Sequence, residues 1–142
     1  MILLNDKGVS AGAINEMLSK FAIRPTSQRV EIAKALLCKS QHLSADQVLS
    51  RVNQERALVS KATVYNTLNL FVERGLVRQV IIDSGRIFYD SNTDVHHHLY
   101  NEDTGMLQDM DASLLRIDSM PALPDGTEGT GIDIIVRVRN IT

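Results

Sequence analysis

Apolar residues recur at helical spacing through the first half of the chain and at strand spacing through the second. Ile14, Met17, Leu18 and Phe21 fall at i, i+3, i+4 and i+7, one apolar stripe on an amphipathic helix over about residues 10–21. Arg24-Pro-Thr26 ends it, because proline disfavours helical backbone at the residue before it. Thr26 is placed to cap a second helix running to about Lys39, with Val30, Ala33 and Leu37 inward. Ser44-Ala-Asp-Gln47 matches a capping box and opens a third helix with Ala45, Val48, Leu49 and Val52 on one face. Ser60 caps a fourth, Lys61 to about Arg74, with Val64, Leu68 and Phe71 inward and Gly75 at the usual terminating position.

Beyond Gly75 the period shortens. Val77 to Ile82 predicts a strand, Asp83-Ser84-Gly85 a turn, and Arg86 to Tyr89 the return strand. Residues 91–97 read as a polar hinge. Leu99–Asn101 and Met106–Asp109 predict a short hairpin around Glu102-Asp-Thr-Gly105. Asp111 to about Asp118 is expected as a short helix, Pro124-Asp-Gly126 as a turn, and Ile132 to Val138 as a strand of a small sheet. The expected class is α+β. Residues 1–90 form a winged helix-turn-helix and residues 91–142 a small α/β domain.

In a winged helix-turn-helix the helix after the turn enters the major groove of DNA. Here that helix is residues 61–74. Its inward stripe leaves Lys61, Ala62, Tyr65, Asn66 and Asn69 outward, where they can meet base edges, thymine methyls and phosphates. Arg24, with Arg29, Lys34 and Arg78, can add charge contacts to the backbone. A helical protein-interaction module with a solvated polar face is the plainer reading of the same pattern.

Charge sharpens this picture. Residues 1–80 carry eleven Lys/Arg against six Asp/Glu, whereas residues 81–142 carry four against eleven. A basic half suits a polyanion, and an acidic half suits cations or a partner subunit. No apolar run is long enough to span a membrane, and Met1-Ile-Leu-Leu-Asn-Asp6 has no secretory-signal pattern, so a cytoplasmic protein is expected. The single cysteine, Cys38, allows no internal disulfide and reads as a partly buried small apolar residue.

Three of the four histidines sit together as His96-His97-His98. On an extended strand His96 and His98 share a face and His97 points the other way. Two imidazoles with Asp90 and Asp109 near them suit a transition metal. Against that stands a solvated polar hinge, with His42 as an ordinary polar residue at a helix start.

Arg24-Pro-Thr-Ser-Gln-Arg29, His42-Leu-Ser-Ala45, Ala62-Thr-Val-Tyr-Asn-Thr-Leu68, Gly75-Leu-Val-Arg78 and the histidine cluster, in that order, resemble the ferric uptake regulator (Fur) superfamily over nearly the whole chain. The resemblance implies a homodimeric, metal-responsive repressor. It would bind double-stranded operator DNA through a winged helix and dimerise through the C-terminal α/β domain. It also implies a regulatory site of His42, Asp90, His96, His98 and Asp109, drawn from both domains and the hinge. Mixed imidazole and carboxylate suits Fe, Mn or Zn.

The chain departs from the family where many members carry Cys-x-x-Cys pairs. The first pair falls on Asn101 and Thr104, and no cysteine follows Cys38, so a structural zinc held by four cysteines is excluded. With the triple histidine and the ending Met120-Pro…Ile132-Asp-Ile-Ile-Val-Arg-Val-Arg139, that departure is similar to the iron response regulator (Irr) branch. The branch implies haem as effector at His96, His97 and His98 and control of iron and haem genes. Its N-terminal Cys-Pro motif is missing, because Lys39 follows Cys38. An Fe(II)- or Mn(II)-responsive repressor, including a peroxide-responsive one, is the alternative within the superfamily. A metallohydrolase built on the His/Asp cluster is the alternative of another class. An enzyme is not expected, because no His-Glu-x-x-His motif and no flanking general base accompany the triplet.

Overall fold

The computed structural model describes residues 11–142 and divides into two compact units, the first running to Asp94 and the second Val95–Thr142. The fold is α+β, as the sequence pattern predicts.

Four helices lead the first unit: α1 (Ala11–Lys20), α2 (Ser27–Leu37), α3 (Ala45–Val52) and α4 (Lys61–Glu73). Residue 10, expected at the start of α1, lies outside the described residues. α1 stops because Ala22 adopts a left-handed backbone at φ 58°, so the Ile23 and Ala22 N–H groups turn back to Leu18 O and Ser19 O. Thr26 caps α2 by accepting from the Arg29 N–H at 3.3 Å. The capping box at α3 has both halves: Gln47 N–H donates to Ser44 Oγ at 3.1 Å, and Ser44 N–H donates to Gln47 Oε1 at 2.9 Å. Ser60 caps α4, and Gly75 at φ 79° ends it, the Leu76 N–H closing on Phe71 O at 2.9 Å.

Ile14, Leu18, Leu36, Val48, Val64, Leu68 and Phe71 are sealed in one core. α2 buries Ile32 and Leu36 as well as Val30, Ala33 and Leu37, a wider face than its periodicity suggested. The wing strands β2 (Arg78–Asp83) and β3 (Arg86–Asp90) join through the expected turn. There Asp83 accepts from the Gly85 N–H at 3.0 Å and pairs with Arg86. These contacts, the Arg86 side chain first, hold the Asp83 carboxyl below the usual range. A third strand, β1 (His42–Ser44), was not expected. It lies before α3 in the chain and pairs antiparallel with β3, giving the order β1-β3-β2.

In the second unit β4 (His96–Asn101) and β5 (Leu107–Asp111) form an antiparallel hairpin, and β6 (Ile135–Val138) lies parallel to β4 on its other side. Three expectations need correction. The hinge assigned to residues 91–97 gives way to strand at His96, where cross-strand pairing takes over. The final strand starts at Ile135, because pairing with β4 runs from His98↔Ile135 to Asn101↔Val138. The helix expected over Asp111 to Asp118 is only a 3-10 turn, Ala112–Leu114, with Leu115 extended. A segment that short needs packing to stay helical, and Leu114 is 73% exposed.

Candidate functional site

The β4–β5 ladder sets the geometry of the histidine cluster. Its register places His98 opposite Asp109 and His96 opposite Asp111. Alternation along β4 puts the His96 and His98 rings on one face, edge to face with centroids 4.6 Å apart. Both reach the same carboxylate: Asp109 Oδ1 lies 3.4 Å from His96 Nε2 and 3.5 Å from His98 Nε2. Ligand atoms about 2.0–2.2 Å from a tetrahedral ion stand about 3.4 Å from one another, so these spacings are those of three ligands around one first-row metal. The two imidazoles are buried while the carboxylate is half exposed. That combination leaves an entry path on the acid side and little water competing at the nitrogens.

His97 sits apart from this trio. Its ring is buried, and its Nδ1 accepts from the Ile134 N–H at 3.3 Å, a bond that places the ring proton on Nε2.

The other two sequence-expected ligands lie in the first unit, where they are aligned across a strand pair. β1 places His42 directly opposite Asp90 in the ladder with β3. Asp90 is 1% exposed, with Oδ1 accepting from the Asn92 N–H at 2.9 Å. The His42 ring meets Phe88 edge-on, centroids 6.2 Å apart. Sequence reasoning matched both residues by resemblance and missed the strand that aligns them. A three-residue strand offers too little alternation to be read, and only the separation of its partner reveals it.

The Asn101–Thr104 turn is closed by its own polar side chains. Asn101 Oδ1 accepts from the Asp103 and Thr104 N–H groups at 2.9 and 3.1 Å, and Thr104 Oγ1 accepts from the Met106 N–H at 3.2 Å.

On α4, Lys61, Ala62, Tyr65, Asn66 and Asn69 are all exposed, opposite the buried Val64, Leu68 and Phe71. Lys61 pairs with Asp46 at 3.5 Å, and its ammonium lies 5.9 Å from the centre of the Tyr65 ring. Tyr65 and Asp46 line a groove of about 410 Å³ with Arg86, Phe88 and Tyr89 of the wing. Burial holds the Tyr89 phenol above its usual range. Arg24 is exposed, and its carbonyl accepts from Arg29 Nη1 at 2.9 Å. The charges of Lys34 and Arg78 are engaged locally, with Glu31 at 3.6 Å and with the Asp94 carbonyl at 3.2 Å.

With this geometry established, comparison with known proteins gives a consistent result. The sequence pattern of the ferric uptake regulator family matches residues 20–123. The peroxide-responsive repressor PerR of Staphylococcus epidermidis is 30% identical over 92 residues, covering 65% of this chain and 61% of that protein. The match therefore spans less than two thirds of that relative's own length. Among solved structures, the ferric uptake regulator from Pseudomonas aeruginosa with manganese aligns with a TM-score of 0.66 at 27% identity, covering 90% of this chain and 98% of the other. The ferric uptake regulator from Francisella tularensis with iron aligns with a TM-score of 0.67 at 23% identity over 84% and 93% of the two chains, a likeness of fold alone.

Proposed function

The chain belongs to the ferric uptake regulator family, and from that premise we propose that it is a homodimeric, divalent-metal-responsive transcription regulator that binds operator DNA, not an enzyme. The observation that carries the sensing half is the shared carboxylate: His96 Nε2 and His98 Nε2 both stand at ligand spacing from Asp109 Oδ1. In this reading Asp90 and His42 complete the ligand set from the first unit. The donors suit Mn(II), Fe(II) or Zn(II). Bound there, such an ion would supply a positive charge to the imidazole and carboxylate donors. His42 and Asp90 stay level in their sheet and His96 and His98 on one face of β4, and we infer that occupancy biases the orientation of the DNA-reading unit. The equilibrium moves by the difference in ligand affinity between orientations.

The DNA-reading half rests on α4. Its outward Lys61, Ala62, Tyr65, Asn66 and Asn69 are proposed to meet the major groove, with Arg24 on phosphate. Dimerisation is assigned to the second unit, which carries Leu114, Ile117, Met120, Leu123, Ile132 and Ile141 exposed. So much uncovered apolar surface on a small unit favours a partner.

Haem is the second reading, from the likeness of the histidine triplet to the iron response regulator branch. If His97 were the iron ligand through Nε2, its proton would have to move to Nδ1, at the cost of the bond from Ile134. That cost favours His96 or His98 as the iron ligand within the triplet, and haem and a divalent ion then compete for one site. Peroxide sensitivity, the property in the name of the staphylococcal relative, belongs to the same metal site if Fe(II) is its occupant.

The test is selection of bound duplexes from a random pool, run with Mn(II), with haem and with neither, followed by affinity measurements on the selected operator. Tyr65→Ala is expected to weaken operator binding by roughly 1–3 kcal/mol. Arg24→Ala should weaken all duplexes alike and lower the salt slope by about one. Operator affinity unchanged in both folded variants removes the DNA-reading assignment. A Soret shift that persists in the His96→Ala, His97→Ala, His98→Ala variant removes the haem placement.

A further inference from the structure

Gln41 and Ser91 are the residues next to His42 and Asp90, just beyond the end of the β1–β3 ladder. The Ser91 N–H donates to Gln41 O at 2.9 Å, and the Gln41 N–H donates to Ser91 Oγ at 3.0 Å. The Ser91 hydroxyl in turn donates back to the Lys39 carbonyl at 3.0 Å. Ser91 is completely buried, so this one hydroxyl closes the end of the β1–β3 pairing away from water.

The Gln41 side chain reaches the other way. Its Nε2 donates to Ala35 O at 3.1 Å and Leu36 O at 3.0 Å, carbonyls of the last turn of α2. A helix end leaves such carbonyls without partners along its own backbone. Its Oε1 accepts from Arg51 Nη1 of α3 at 2.8 Å. A single side chain thus holds the end of α2 and a cation from α3, while its backbone holds β3 beside Asp90. Only a primary amide of this length does all of this. Glutamate accepts but cannot donate to the carbonyls, and asparagine is one methylene short. α3 packs in turn on α4, the proposed recognition helix.

We propose that Gln41 is a positioning residue that ties the His42–Asp90 ligand pair to helices α2 and α3, so that metal occupancy is felt by the helix-turn-helix. This rests on the metal-sensing reading above. Ligand binding at His42 acts on a strand whose neighbouring residue already holds both helices. A shift of that strand therefore changes three hydrogen bonds to the helices together. Coupling carried by such a network is altered by roughly 2- to 30-fold when a member is changed.

The experiment measures operator affinity of the full chain with and without saturating Mn(II), and Mn(II) affinity separately by calorimetry. The quantity read is the factor by which Mn(II) changes operator affinity, in either direction. Gln41→Ala is expected to bring that factor toward one by roughly 2- to 30-fold while Mn(II) affinity stays within about threefold. Gln41→Glu keeps the Arg51 contact and loses the two carbonyls, and Arg51→Ala does the reverse. Each should give a smaller loss. If Gln41→Ala fails to fold, these two variants carry the test. A wild-type factor in the folded variants overturns the proposal. So does a loss of operator affinity equal with and without Mn(II), which a purely structural role would produce. A factor of one in the unmodified protein overturns the metal-sensing reading itself.

Discussion

His98→Ala tests the metal centre most directly. It removes an imidazole that is 4.6 Å from the His96 ring, centroid to centroid, and 3.5 Å from Asp109 Oδ1. The metal-free protein should lose roughly 0.5–3 kcal/mol, the usual range for one truncation. Asp109 is not stranded by the change, because it retains His96 and is half exposed. The response to metal should change much more. At Mn(II) equal to 100 times its dissociation constant, linkage stabilises the unmodified protein by about 2.7 kcal/mol. Loss of a direct ligand should weaken binding by at least about 100-fold, the upper end of what losing an outer partner of a ligand costs. The same Mn(II) concentration then stabilises the variant by only RT ln 2, about 0.4 kcal/mol. At about 4 °C per kcal/mol, the unmodified protein should gain about 10 °C in melting midpoint and the variant about 2 °C. Circular dichroism melts with and without Mn(II) read both shifts. Each protein is compared with its own metal-free baseline, so the cost of the truncation cancels. A variant that still gains close to 10 °C would show that the metal sits elsewhere and refute the placement.

Three further outcomes follow from the fold. Ala22 holds a left-handed backbone at φ 58°, so Ala22→Gly should raise stability by about 0.5–1 kcal/mol in a urea melt, and a loss would mean that the turn is relaxed in solution. Ser44→Ala removes the oxygen that accepts from the Gln47 N–H and should cost about 1 kcal/mol, which a midpoint shift of less than about 0.2 kcal/mol would contradict. Because Asn101 and Thr104 close their turn by hydrogen bonds of their own side chains, a strong chelator should leave the second unit folded and the proposed dimer intact by sedimentation. Dissociation to monomer on chelation would reveal a structural metal.

Most of the first unit was legible in the sequence because its signals are local. Thr26, Ser44 and Ser60 cap helices that start within a residue or two of them, Gly75 supplies the left-handed turn that ends α4, and the inward stripe of Val64, Leu68 and Phe71 settles which face of α4 is exposed. Period-two alternation likewise put His96 and His98 on one face. Contacts between distant residues decided the rest. The strand at His42 exists only because β3 lies beside it, and the Gln41–Ser91 bonds join residues 50 apart. The parallel pairing of β6 with β4 could not be read from either strand alone. The segment after Asp111 leaves Leu114 unpacked within this chain, and a piece that short without packing forms a single turn. Residue types and spacing thus put two imidazoles on one face, the family resemblance named the full donor set, and strand register, which no local pattern encodes, determined that His96 and His98 share the carboxylate of Asp109.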